Sequence, residues 1–501
     1  MSVKTVVGLG DTPGTAWIFA VVALAATAIV LVSSSPKVAF YLDALDRSYL
    51  LYTLPVVCAA GLFAVLAYPR LCMDLMAFLL PFNFVGGYWG SDLVILVAKI
   101  AMNGLAVAAL LPALIAPAEQ RAWLTRTRLG VALLAWLAAI AMGMAVGRFS
   151  AFNPEYWVRE SGWMLFFAAA LPFGTLLRNR RDFDRLVWCT CAGVAALQAY
   201  GFWTLATGTR YARSDAWEAG ASFFRAPYSC VSLFALYLAA AALLFGTSRK
   251  ALSRRTAAAL FAAIALLGGG LLASMVRSLW ISGTLGMAVV LALVPWDRRT
   301  AKAAAAVAIG GALAIAVVAA VDRLSPASTG NWTGSAVAFL MDLGSKESTS
   351  RVTRQIEWAH AIEVWKKSPL VGLGFGYSYP QTEFVRLPDA VVPEAFYMHN
   401  SYLNILAKVG LFGLAALLAV MWMTAQSALV ALRQQGAQLR DQVVATAVLG
   451  GLTSVALLTA TMPVLTAGDP AAYLGMLIGM TAALRRIQAC ESSSSPPTRR
   501  R

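Results

Sequence analysis

The sequence predicts an all-α polytopic membrane protein with about 14 transmembrane helices and both termini cytoplasmic. Three observations carry that prediction. Of the 501 residues, 59% are hydrophobic and only 13% charged, where a soluble domain carries roughly 25% charged residues. Apolar runs of roughly 17–25 residues, long enough as helices to cross a hydrocarbon core about 30 Å thick, recur along almost the whole chain. The basic residues fall in alternate connections between those runs, as membrane insertion requires of cytoplasmic loops.

Taken in order, the runs lie near 16–33, 49–68, 71–84, 92–116, 128–147, 161–177, 182–204, 228–246, 256–274, 277–296, 302–321, 408–427, 442–463 and 470–486. They make residues 1–486 one polytopic domain, and the remainder, 487–501 with its SSSSPPTRRR end, reads as a disordered basic cytoplasmic tail. The first run follows a segment with Lys4 as its single basic residue, so it reads as a span rather than a signal peptide. The run at 71–84, LCMDLMAFLLPFNF, is short enough to be a re-entrant segment. Charge decides for a span. With it counted, the cytoplasmic segments hold 23 basic and 7 acidic residues and the outer segments 16 of each. The net charge of +16 therefore belongs to the inner face, where anionic lipid attracts it. Nucleic-acid binding is not expected, because no aromatic–basic groove is present. The six cysteines are scattered and lack zinc spacing; Cys189 and Cys191 share one span and read as packing residues.

One connection is long. Residues 322–407, on the outer side, open with a Ser/Thr/Gly-rich stretch, and then RVTRQIEWAHAIEVWKK reads as an amphipathic helix with Trp358, Ile362 and Trp365 on one apolar face. That face should lie against the membrane domain or its surface. Ser368-Pro369 ends the helix. Gly372, Gly374 and Gly376 follow in GLGFG, which lacks the Lys-Ser/Thr of a phosphate loop and reads as a turn of close backbone approach. MHNSYLNILAKVGLFG then leads into the next span, with Asn400 or Ser401 placed to cap it. Loops of this length are usually functional.

The chemistry-bearing residues collect on that side. His360 and His399 are the two histidines, and imidazole is the side chain best placed to take a proton near neutrality. His360, three residues from both Glu357 and Glu363, reads as a helical surface residue, whereas His399, where the loop re-enters the membrane, reads as a base or orienting group. Arg277, in LLASMVRSLWISG, sits close to hydrocarbon on both sides, a costly place for an unpaired charge. Arg225, Arg351 and Arg354 lie at the same expected level. Guanidinium groups gathered there would grip a phosphate bidentately; snorkelling to the headgroups is the simpler alternative. Asp92, Glu155, Glu160 and Glu394 read as isolated acidic residues, and no metal motif is present.

Arg354, Trp358, Ser368-Pro369-Leu370, GLGFG and His399-Asn400-Ser401-Tyr402-Leu403 running into Gly410-Leu411-Phe412-Gly413 together resemble the bacterial O-antigen ligase and O-antigen polymerase superfamily. The resemblance covers roughly residues 220–430. It implies a GT-C-like glycosyltransferase of the bacterial inner membrane, with a partly helical periplasmic loop at 322–407 and the active site facing the periplasm. By the resemblance, Arg225, Arg277, Arg354 and His399 line the cavity. The donor would be a polyprenyl-diphosphate-linked glycan, and the acceptor lipid A–core or another lipid-linked glycan. Transfer would be direct and inverting, with no cofactor, no metal and no nucleic acid, and with membrane lipids as surroundings. The rival expectation is a lipid-linked-oligosaccharide flippase or other transporter, which would show broken spans and buried titratable groups.

Overall fold

A computed structural model describes residues 69–81, 109–150, 153–206, 230–274, 276–305, 307–309, 311, 349–380, 394–395, 398–434, 437–462, 465 and 469–494. The main helices are α1 (Pro69–Leu79), α2 (Arg128–Phe149), α3 (Pro154–Leu165), α4 (Ala170–Leu176), α5 (Arg180–Ala206), α6 (Cys230–Ser248), α7 (Arg254–Ala273), α8 (Arg277–Leu293), α9 (Thr349–Lys367), α10 (Ser401–Arg433), α11 (Leu439–Thr461) and α12 (Asp469–Ser494). Two antiparallel strands, β1 (Tyr379–Pro380) and β2 (Glu394–Ala395), pair Tyr379 with Ala395 and Pro380 with Glu394. The protein is an all-α membrane protein. Among the described residues five helices are long and apolar enough to cross a bilayer: α2, α6, α7 over Arg254–Leu272, α10 and α11. The expected spans at 16–33 and 49–68, and most of those at 92–116 and 302–321, lie outside the described residues.

Polar residues set the helix starts. The Thr127 side chain accepts the Gly130 N–H (3.0 Å) ahead of α2, and Ser253 accepts the Thr256 N–H (3.1 Å) ahead of α7. Each bond satisfies one of the amides that a first turn leaves open. Apolar sequence then sets the packing. α11 runs through the centre against α6, α8 and α10. It is pinned there by Tyr237 of α6, whose hydroxyl meets Ser454 Oγ of α11 at 2.5 Å while Ser454 Oγ donates to the Ser282 carbonyl of α8 at 2.9 Å.

The expected span 161–177 is broken. α3 gives way to a 3-10 turn over Phe166–Ala169 before α4 begins, because Pro172 has no N–H to continue the ladder and is tolerated in a first turn. Of the run at 71–84, residues 71–79 belong to α1, and residues 82–84 lie outside the described residues. Asp74, read as a charge within that run, pairs with Arg185 of α5 at 2.6 Å. Helix α12 continues to Ser494, past the expected tail boundary at 487. Its end is held by an ionic cluster in which Arg180 of α5 bonds Asp441 of α11 (Nη2–Oδ2 3.1 Å) and Glu491, with Gln488 Nε2 on Asp441 at 3.1 Å. The hydrogen bond to Glu491, above all, holds the Arg180 proton more tightly than usual. This cluster marks one end of the bundle, and the candidate site lies at the other.

Candidate active site

Gly410 has φ +73° within the run Ser401–Arg433, so α10 is two helical pieces joined at one left-handed residue. A break in apolar surroundings strands amides and carbonyls that hydrocarbon cannot satisfy. Residues 368–376 satisfy them. The Leu411 N–H donates to the Pro369 carbonyl (2.9 Å) and Phe412 N–H to Leu370 (3.2 Å), while Leu373 N–H donates to Ala407 (3.0 Å) and Gly374 N–H to Lys408 (2.8 Å). GLGFG is thus the expected turn of close approach. At Gly374, with φ +88°, a Cβ would lie 2.1 Å from the Gly147 nitrogen of α2.

A buried ion pair fixes the same junction. Lys408 of α10 bonds Glu160 of α3, both side chains fully buried, and Glu160 Oε2 accepts the Gly376 N–H at 2.7 Å. Glu160, read from sequence as an isolated acidic residue, has a partner 248 positions away. The signal for it was Lys408 itself, a charge inside the apolar run NILAKVG, which demands an opposite charge at that depth.

Helix α9 rests on the start of α10. Ala361 and Val364 are buried with Met398 and Ala407, and Leu373, Tyr377 and Leu403 pack against them. Trp358 and Ile362, on the face expected to lie against the membrane domain or its surface, are 37% and 40% exposed. The packed face is the adjacent series Glu357, Ala361, Val364, one residue round the helix from the expected one. Small Ala361 against Ala407 allows an approach that an indole would prevent.

Asn400 caps α10, accepting the Leu403 N–H at 3.1 Å. Immediately before it, His399 sits on Glu357. The His399 N–H donates to Glu357 Oε2 at 2.8 Å, and Nδ1 lies 3.0 Å from Oε1 and 3.1 Å from Oε2. The imidazole is 40% exposed and the carboxylate 22%. Glu357, which sequence placed beside His360, therefore serves the other histidine, and Glu363 is engaged by Lys366 at 2.6 Å. Arg354 is half-buried and three residues before Glu357, on the same helix face. Arg351 lies one turn earlier in α9.

Arg277 is the first residue of α8, after Val276, which offers no side-chain cap. Two serines relate its position to His399. Ser278 Oγ donates to Met462 Sδ at 2.8 Å, and Ser401 Oγ donates to the Met462 carbonyl at 2.9 Å. The starts of α8 and α10 therefore meet where α11 ends, which brings Arg277 and His399 to one end of the bundle. Arg225 lies outside the described residues.

Residues 261–418 match the family described as O-antigen ligase. This segment belongs to the O-antigen ligase family. The O-antigen ligase segment contains α8, α9, GLGFG and α10 through its break, and with them Arg277, Arg351, Arg354, Glu357 and His399. Arg225 and Glu160 precede it. No curated protein matches the chain.

Proposed function

We propose that this protein is a glycosyltransferase that moves a glycan from polyprenyl diphosphate to an acceptor hydroxyl, at the periplasmic face of a bacterial inner membrane. The observation that carries the reading is His399, held on a carboxylate at the bundle end where α8 begins with Arg277. The acceptor O–H gives its proton to His399 as its oxygen attacks the anomeric carbon. The anomeric carbon–phosphate oxygen bond breaks, the electron pair leaves with the diphosphate, and the anomeric centre inverts. Arg277 meets the charge that develops on the leaving group, with Arg354, Arg351 and Arg225 as further phosphate ligands. The uncapped first turn of α8 adds the positive end of a helix dipole. The acceptor is lipid A–core or a second lipid-linked glycan.

A flippase would draw on the break at Gly410 and the buried Glu160–Lys408 pair. Both are taken up in holding residues 368–376, which favours an enzyme with a fixed site over a carrier. The test is transfer from a purified lipid-diphosphate glycan, with release of lipid diphosphate as the readout. His399→Ala should bind donor as wild type does and transfer about 10²–10⁴-fold more slowly. Arg277→Ala should abolish transfer, and Arg277→Lys should recover part of it. Full activity in His399→Gln, which cannot take a proton at neutral pH, would eliminate the base. Turnover of Arg277→Ala at the wild-type rate with limiting donor would eliminate the clamp.

A further inference from the structure

We infer that Glu357 is the positioning residue of His399, fixing which imidazole nitrogen holds the proton; the inference rests on the reading of His399 as the acceptor's base. Sequence gives this role to nothing, and the family resemblance assigned none to this carboxylate. A carboxylate presents acceptors only, so the Nδ1 it holds at 3.0 and 3.1 Å is the protonated nitrogen of the neutral ring. The lone pair then sits on Nε2, and Nε2 is the atom that takes the acceptor's proton. Once it has done so, the same carboxylate stabilises the imidazolium, the division of labour of a catalytic triad.

Three features separate this arrangement from a chance surface contact. The backbone N–H of His399 also donates to Glu357 Oε2, at 2.8 Å, so main chain and ring are referred to one carboxylate. That main chain is itself fixed, because Asn400 caps α10 and Ser401 is bonded to Met462. Glu357 is fixed in turn, since Ala361 and Val364 on its own face of α9 are buried against the start of α10. The loop helix thus brings a carboxylate to the membrane helix that carries the base, and His399 is correctly presented only with α9 docked.

The chain's two histidines make the state of the ring directly observable. In full-length protein carrying His360→Gln, with ¹⁵N-labelled histidine in lipid nanodiscs, His399 is the sole imidazole. With Glu357 present, the neutral ring should give a protonated Nδ1 and a bare Nε2. Glu357→Gln keeps the shape but turns a donor toward the ring, so the signal should move to the other tautomer or a mixture. Turnover should fall on the order of 10–10²-fold with KM for donor unchanged, because the base is misdirected rather than removed. Glu357→Asp should restore the Nδ1–H signal and part of the turnover. An unchanged tautomer in Glu357→Gln overturns the role of Glu357 while leaving His399 as base. A changed tautomer with wild-type turnover overturns the base, and the positioning role with it. Equal losses in donor affinity and turnover, without rescue by Asp, would reduce Glu357 to an anchor of the loop.

Discussion

Replacing Lys408 by methionine should be among the most damaging single changes to this fold, and the reason is Glu160 rather than Lys408. Both side chains have zero exposure, so the methionine fills much the same apolar volume while the carboxylate loses its counter-charge. The hydrogen bonds that remain, from the Gly376 N–H at 2.7 Å and from the Asn404 side chain, cannot replace water and an ammonium together. Breaking a buried pair on one side costs about 3–5 kcal/mol, a factor of about 10²–10⁴ in the folded ratio. Glu160→Gln alone should cost a comparable amount, because it leaves the ammonium buried. The double variant Glu160→Gln/Lys408→Met should recover most of the loss. It buries no charge, and the glutamine carbonyl still accepts from Gly376. Unfolding of the three variants and wild type in one detergent, followed by tryptophan fluorescence, gives the double-mutant cycle. Proteolysis of residues 368–376 should rise in each single variant and fall back in the double. Losses that simply add, or a Lys408→Met protein as stable as wild type, would show that the two charges do not depend on each other.

Gly374→Ala should undock residues 368–376, since its Cβ would overlap the Gly147 backbone at a φ of +88°. The left-handed conformation alone costs about 1–2 kcal/mol. Gly268→Ala in α7, where a Cβ meets nothing within 4 Å, is the control and should be neutral or stabilising by up to about 1 kcal/mol; thermal midpoints of the two compare them directly. For topology, Lys367→Cys and Gln438→Cys in a cysteine-free background both place the thiol at an exposed position. An impermeant thiol reagent applied to intact spheroplasts should label the first and spare the second, and the reverse pattern would invert the assignment of faces.

Much of this protein was legible one residue at a time. Hydropathy located α2, α6, α7 and α11 to within a few residues, and the central part of α10, because burying about 20 apolar side chains in lipid is a local property of the run. Asn400 as a cap and GLGFG as a close turn were equally local, each decided by the backbone of its own segment. His399 stood out because its sequence position, at the re-entry of a long loop, already separated it from His360. The face of α9 that packs inward lies one position from the apolar one, since close packing selected Ala361 where apolarity marked Trp358 and Ile362.

What the tertiary structure alone decided are the partnerships. Glu357 lies 42 residues from His399 and Glu160 lies 248 from Lys408, and no periodicity relates such positions. The break at Gly410 looked like an ordinary span because hydropathy does not register the conformation of one glycine. Its freed backbone groups are met by residues 369–374, which follow α9 along the chain. Local sequence determines which segments enter the membrane and where each helix begins. Which charge answers which is settled only in the folded chain, because an ion or an imidazole can be paired by any group that the packing of distant helices brings within hydrogen-bonding distance.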